Sequence, residues 1–281
     1  MDDFISKINW QCPECGISLI NLRVGGQCQK CGRAFKVEGG RVDFLTGADR
    51  RAIKDEDNRL RDFFKRWPRF YNFMIYVLGP AFTGLSAKKF IKEFLNKGMI
   101  LNLGSGPRIL SPQVINLDLY RYAGVKIVAD ILQLPISDNS VEAIVCDTVI
   151  EHVKDPRRAI DEMRRVLIKG GSAYITFPFM YPFHASPNDF YRWTKVGFSK
   201  MLNGFEVVEF GVRSGVFSAL AVHSSYLIAL LFSFGNRRFY WLLVNASMLL
   251  FLPIKLLDLL FYRLPFSSDA AAIIYCVAKK K

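Results

Sequence analysis

The chain has 281 residues, 51% of them hydrophobic and 14% aromatic, and carries a formal net charge of +13 from 38 Lys and Arg against 25 Asp and Glu. That length holds one large domain with additions or two domains, and the apolar content exceeds what a soluble enzyme of this size usually carries. The charge points away from cationic partners and toward nucleic acid, phosphorylated substrates or a membrane surface; basic and very apolar together lean toward the membrane.

The first residues, Met1-Asp2-Asp3-Phe4, lack the basic and apolar regions of a cleavable leader, so none is expected. Residues 1–48 hold Cys12-Pro13-Glu14-Cys15 and, twelve residues later, Cys28-Gln29-Lys30-Cys31. A glycine follows each second cysteine, Gly16 and Gly32, and permits the tight knuckle that points two thiolates at one ion. Cys12, Cys15, Cys28 and Cys31 are therefore expected to hold a structural Zn²⁺ in a closed tetrahedral site, because so short a unit has little core of its own. Cys146 and Cys276 lie in strand-like runs, and the pattern suggests a reducing compartment rather than a disulfide framework.

Residues 49–97 are basic, aromatic and helical in pattern. Arg61, Lys65, Arg66 and Arg69 interleave with Phe63, Phe64, Trp67, Phe70, Tyr71, Phe73 and Tyr76. Such a mixture suits the headgroup region of an anionic lipid surface, and an ordinary helical cap over a ligand has the same composition. No recognised RNA-binding motif accompanies it, so nucleic acid is not the expected partner.

Residues 98–213 alternate short apolar strands with helical patterns, as an α/β sheet does. Ile100-Leu101-Asn102-Leu103 runs into Gly104-Ser105-Gly106-Pro107, a buried strand ending in a loop stripped of side chains. Asp118 and Asp130 close the next two strand-like runs, which completes a nucleoside-binding layout. Gly106 to Ile115, with Pro107 and Pro112 inside it, is too short for a normal crossover helix, since even a bare parallel crossover wants about ten to twelve residues. A dinucleotide needs a helix N-terminus against its pyrophosphate, so NAD and FAD are disfavoured. Asp118 also comes fourteen residues after Gly104, earlier than the roughly twenty of the dinucleotide fingerprint.

Two later runs belong to the same crevice. Cys146-Asp147-Thr148-Val149-Ile150-Glu151-His152 follows the fourth strand and offers His152 as a general base. Pro178 to Thr194 follows the fifth strand and mixes proline, aromatic and polar residues, as a binding loop does.

Residues 214–266 are strongly apolar. They separate Phe205–Val212 from Ala271–Val277, which are expected to form the last antiparallel pair of the sheet. Val216 to Gly235 carries no formal charge; Phe239 to Phe261 is interrupted by Pro253, Lys255 and Asp258; Asn236-Arg237-Arg238 lies between them. A spanning helix needs about twenty apolar residues, and a spanning hairpin would export both arginines against the positive-inside tendency. A re-entrant or interface-lying helical pair on the cytoplasmic side of a membrane is therefore expected, ahead of two full spans or an enlarged soluble core or dimer surface.

Residues 98–200 resemble a class I S-adenosylmethionine-dependent methyltransferase of the broad type 11 group. The resemblance rests on Leu101–Pro107, Asn116-Leu117-Asp118, Asp130–Pro135, Ser140–Val145, Ile150-Glu151-His152-Val153 and Leu167–Gly171. Residues 1–48, closing with Gly39-Gly40-Arg41-Val42-Asp43-Phe44-Leu45, resemble the zinc ribbons attached to the N-terminus of some methyltransferases. The implied fold is a Rossmann-like methyltransferase sheet over 98–213 and 267–281, with an N-terminal Cys₄ zinc ribbon and an apolar helical insertion, 214–266, between the last two strands.

The implied cofactor is S-adenosylmethionine. Asp118, with Leu119 beside it, would meet the ribose hydroxyls, and Asp130 with the amide of Ile131 the adenine edge. The Gly104-Ser105-Gly106 backbone would lie along the methionine portion. Asn102, standing where an acid is common, would hold the ammonium group through its carbonyl, and Asp147 would complete the set. The run His184 to Thr194 resembles the H-x-x-P-x-D-[FY]-Y-R-[FW]-T stretch of methyltransferases found among cell-surface glycan enzymes. It implies His184 as base, Asp189 as its orienting partner or as base, and Tyr191 and Arg192 as contacts to a sugar or phosphate. Some quinone-pathway methyltransferases hold Mg²⁺ with a related Glu-His pair and a further glutamate. Thr148 stands in that glutamate's place, so no metal is expected there. The expected activity is O-methylation of a lipid-linked glycan or other amphipathic lipid; an RNA or protein methyltransferase and a non-catalytic scaffold are the alternatives.

Overall fold

The computed structural model describes residues 4–19, 22, 25–52, 77–184 and 188–281. The basic aromatic stretch from Arg61 to Tyr76 lies outside the described residues.

The N-terminal region contributes β1 (Trp10–Gln11), β2 (Ser18–Leu19), β3 (Gly26–Gln27), β4 (Ala34–Glu38) and β5 (Arg41–Asp43). The apolar runs of the central region form β6 (Ile100–Leu103), β7 (Val114–Asp118), β8 (Val125–Val128), β9 (Val141–Asp147) and β10 (Leu167–Pro178). The chain ends with β11 (Phe205–Ser214) and β12 (Ile273–Lys280). Apart from the small β1–β2 pair, these strands join one sheet in the order β11-β12-β10-β9-β6-β7-β8-β5-β4-β3. The pairs from β5 through β8, β7, β6 and β9 to β10 are parallel, while β12 runs antiparallel to both β10 and β11. Fully buried strands of this kind read as near-continuous apolar runs, as Ile100–Leu103 and Ala143–Cys146 do.

The chain leaves β6 in one direction through β7 and β8, then returns to add β9 and β10 on the other side. The carboxyl ends of β6 and β9 thus flank a topological switch point, where open α/β sheets bind ligands. Register sharpens this. Leu103 pairs with both Leu117 and Cys146, so the residues that follow them, Gly104, Asp118 and Asp147, stand abreast at one edge.

No helix forms between β6 and β7, as the two prolines require. The link is fastened instead by Asn116, whose Nδ2 donates to the carbonyls of Arg108 and Gly124, both at 3.3 Å. The helix Pro156–Val166 starts on an Asp155 cap and Pro156, and buries Ala159, Ile160, Met163 and Val166 against the sheet.

The cysteine-bearing region is continuous with the main sheet. Val42 and Asp43 pair with Ile127 and Val128, and Arg41 donates to the carbonyls of Val125 and Tyr122 at 2.9 and 3.0 Å. Trp10, Phe35, Val42 and Phe44 share one core with Leu117, Ile127 and Ile136.

The insertion between β11 and β12 consists of the helices Val216–Phe232, Arg237–Leu250, Leu252–Leu256 and Asp258–Phe261. Among the described residues no single helix is long and apolar enough to cross a membrane. The pair Arg237–Leu250 and Leu252–Phe261, bent by 54°, meets that measure together.

Candidate active site

A cavity of about 660 Å³ opens at the switch point, within the usual range for small-molecule sites. Every cofactor residue expected from the sequence lines it: Asn102, Gly104, Ser105, Gly106, Asp118, Leu119, Asp130, Ile131 and Asp147. The loop after β6 is shaped for close approach. Gly104 has φ +60°, and a Cβ there would stand 2.5 Å from both Cγ atoms of Val149, so only glycine fits. Gly106, at φ +54°, has nothing within 4 Å of its Cβ position, which leaves room for a ligand over the loop.

The carboxylates around this room are held by backbone amides. Asp118 accepts from Gly106 N at 2.7 Å and Tyr120 N at 2.9 Å, which ties the glycine loop to the end of β7. Asp130 accepts from Leu132 N at 2.9 Å; burial raises its pKa, opposed by that amide and reinforced by the charge of Asp49. Asn102 commits its Nδ2 to Asn116 at 3.0 Å, so its carbonyl is the end left for a ligand. Asp147 accepts from Thr176 at 2.8 Å and pairs with Arg108 at 2.5 Å. Arg108 was not among the expected residues, although it sits two positions beyond Gly106 and lines the cavity. A nucleoside with an ammonium-bearing chain fits this set: acceptors for hydroxyls and amines, side-chain-free backbone, and no helix end for a phosphate.

On the opposite wall β9 ends abruptly. Thr148 takes φ +55°, a left-handed conformation that a β-branched residue adopts only under constraint, with its amide bonded to Thr176 Oγ1 at 2.7 Å. The turn delivers Glu151 and His152 on a short 3₁₀ segment, Ile150–His152. His184 arrives from the loop after β10, its ring edge-on to His152 with centroids 5.1 Å apart. Glu151 is fully buried, and neither of its carboxylate oxygens has a hydrogen-bond partner. Its Oε1 lies 3.8 Å from His152 Nε2 and 3.7 Å from His184 Nε2. Burial lowers the His152 pKa against the opposing charge of Glu151.

Asp189, Tyr191 and Arg192 stand behind this wall rather than on it. The Asp189 side chain is 1% exposed. It takes Arg192 in a two-pronged pair at 2.5 and 2.6 Å and accepts the amide of His184 at 2.8 Å. Burial pulls its pKa up, but these donors outweigh burial and hold it below its ordinary value. A carboxylate so engaged is a poor proton acceptor, so of the two roles expected for Asp189 the orienting one fits. The remaining Arg192 donors go to the carbonyls of Tyr181, Pro182 and Tyr191. All its N–H groups are used within the loop, and the expected contact to a sugar or phosphate is replaced by loop fastening. Tyr191 donates its hydroxyl to Lys154 O at 3.0 Å and stacks on Trp193, also outside the cavity lining.

The four N-terminal cysteines converge. Cys12 and Cys31 sulfurs are 3.6 Å apart, and those of Cys15 and Cys28 3.5 Å. A tetrahedral zinc with about 2.3 Å bonds sets its sulfurs about 3.8 Å apart. The two knuckles match: Gly16 N bonds Cys12 O and Gly32 N bonds Cys28 O, each at 2.9 Å, with both glycines left-handed. The cluster is compatible with zinc.

The family described as "Methyltransferase domain" matches residues 110–175. Comparison with curated proteins finds no match. Among solved structures, a SAM-dependent methyltransferase of Thermotoga maritima is similar at 19% identity and a TM-score of 0.46, over 78% of this chain and 99% of that one. Phosphoethanolamine N-methyltransferase 2 of Haemonchus contortus, solved with S-adenosyl-L-methionine, is similar at 17% identity and a TM-score of 0.45, over 78% of this chain and 59% of that longer one. Residues 110–175, set in this Rossmann-like sheet, thus match the family described as a methyltransferase domain.

Proposed function

We propose that the protein binds S-adenosylmethionine along the glycine loop and methylates an oxygen of an amphipathic, lipid-linked acceptor at the cytoplasmic face of a membrane. The observation that carries this reading is the place of the insertion. Its exposed face is apolar, with Leu230 70%, Phe234 87% and Leu260 73% exposed, and large exposed apolar surfaces mark interaction sites. The same insertion is bolted to the cavity wall: Ser218 Oγ accepts Ala81 N at 2.9 Å, and Lys255 donates to Val77 O and Gly79 O at 2.5 and 2.6 Å. Leu78, Gly79 and Pro80 line the cavity. A lipid held by the insertion thus has a short path to the site.

The bound cofactor supplies a methyl group already activated on a sulfonium. The chain's part is to hold it and aim the acceptor, which is where most of the rate comes from in a direct displacement. Asp118, Asp130 and Asn102 hold the cofactor. The acceptor's hydroxyl would face Glu151, His152 and His184, the groups placed to take its proton on methyl transfer. Asp189 and Arg192 hold the His184 loop. The four cysteines hold a structural Zn²⁺ that fixes the knuckles against β5.

The test incubates the purified protein with methyl-labelled S-adenosylmethionine and either total lipid extract, tRNA or bulk protein. Label in a lipid fraction is expected, with anionic vesicles floating the protein. Label in tRNA or protein but in no lipid would overturn the reading.

A further inference from the structure

Three lone pairs meet on the acceptor wall with no hydrogen between them. His152 Nδ1 is bonded to the carbonyl of Asn188 at 2.5 Å; His184 Nδ1 lies 3.2 Å from the carbonyl of Pro182, 3.3 Å from Asp189 Oδ2 and 3.3 Å from Arg192 Nη2, whose two hydrogens are given to Pro182 O and Asp189 Oδ2. A carbonyl only accepts, so each ring carries its proton on Nδ1 and presents a bare Nε2. Both Nε2 atoms face Glu151 Oε1, at 3.8 and 3.7 Å. Glu151 itself is fully buried with both oxygens unpartnered. A buried carboxylate is costly without a partner, and acceptors facing acceptors repel unless a proton or a metal cation stands among them; two imidazoles and a carboxylate converging on one point offer the ligand set for the latter.

We propose that Glu151, His152 and His184 bind a divalent transition-metal ion of the zinc class. One ligand atom from each lies within 4.8 Å of the others. A tetrahedral ion with bonds of about 2.0–2.1 Å sets its ligands about 3.3 Å apart, a small rotation from the separations here. Two imidazoles and one carboxylate suit Zn²⁺ and its neighbours, and not Mg²⁺ or Ca²⁺, which take oxygen ligands. The second layer has the form such sites use. Each imidazole is oriented through its other nitrogen, and Asp189 behind His184 is itself clamped by Arg192 at 2.5 and 2.6 Å. In the sequence, Thr148 in place of an acid spoke against a metal; His184, from a distant loop, supplies the missing ligand. All three side chains line the cavity, so the open fourth position faces it. The use of the ion on an acceptor oxygen rests on the proposed function; its binding does not.

The test is metal uptake rather than activity. Full-length protein carrying one zinc in its cysteine cluster is titrated calorimetrically with ZnCl₂, and bound zinc is counted after gel filtration. A second equivalent is expected in the native protein. In His184→Ala it is lost, and in Glu151→Gln, which neutralises a direct ligand, it binds at least about tenfold more weakly, the lower end of what changes behind the ligands cost, while both variants keep the first equivalent. With Co²⁺ added instead, the second equivalent brings visible bands without the thiolate charge-transfer absorption of the cysteine site. Uptake of a single equivalent by the native protein, or a second equivalent undiminished in His184→Ala, would overturn the site. His184 is on the cavity surface, so its removal leaves the core untouched.

Discussion

Asp258 accepts the backbone amide of Gly215 at 3.1 Å across the length of the insertion, and with it the amides of Phe217 and Ser218 at 3.0 and 2.9 Å. One buried carboxylate thereby caps the Val216–Phe232 helix, at the end where the helix dipole favours negative charge. Gly215 is glycine because a Cβ there would stand 2.2 Å from Asp258 Oδ1. Asp258→Ala leaves three amides without their acceptor and is expected to lower the unfolding free energy by about 2–4 kcal/mol. Gly215→Ala is expected to destabilise by displacing the same carboxylate, and Asp258→Asn to lose less than Asp258→Ala. Urea denaturation checks all three.

Changing Asp130 is expected to move stability and the proposed cofactor binding in opposite directions. Burial raises its folded pKa, so the native state holds that proton more tightly than the unfolded chain does. Stability therefore falls as pH rises from the ordinary aspartate value through the raised one, and the ionised form is a standing cost at neutral pH. Asp130→Asn is expected to remove that slope and to melt higher at pH 7. It is also expected to bind S-adenosylmethionine about threefold to tenfold more weakly, because a charged acceptor at the adenine edge becomes a neutral one. Melting curves across pH and a calorimetric titration measure the two effects.

Removing the zinc proposed for the cysteine cluster is expected to have effects beyond the knuckles. Short metal-held units lose their structure with the ion, and here β5 is a strand of the main sheet through Val42 and Asp43. In Cys12→Ser, or after chelation, the amides of β4, β5 and β8 are expected to exchange at least about tenfold faster by hydrogen–deuterium exchange. Those of β6 and β9 keep their protection. Unchanged exchange in β8 would mean that the cysteine region folds independently of its neighbour.

Arg192 fastens the loop that carries His184 and is proposed to position it. Its fork spans Asp189 and three carbonyls, a pattern that lysine cannot reproduce. Arg192→Lys is expected to reduce turnover about ten- to a hundredfold, with S-adenosylmethionine affinity unchanged. Comparing kcat with the calorimetric Kd separates that loss from a general loss of fold.

The parts of the molecule visible in the sequence are those written in contiguous residues. The glycine loop, the strand-end acids and the C-x-x-C knuckles each lie within a few positions, and local rules reach them. The shortened link after Gly106 was legible for the same reason, since two prolines forbid a helix. What was not legible comes from residues far apart. The pairing of Val42 with Ile127 joins the ribbon to the sheet, and nothing in either stretch names the other. His184 meets Glu151 only because β9 and β10 are neighbours. Arg192 has the composition of a ligand contact, and only its hydrogen bonds show that the loop consumes every donor.

Asp118 anchors both Gly106 and Tyr120 at the switch-point cavity, where it is proposed to hold S-adenosylmethionine. Calorimetric titration of S-adenosylmethionine into the native protein and into folded Asp118→Ala tests it most directly. One-to-one binding by the native protein, weakened at least about tenfold in the variant, is the expected result. No binding by the native protein, or equal binding by the two, would contradict it.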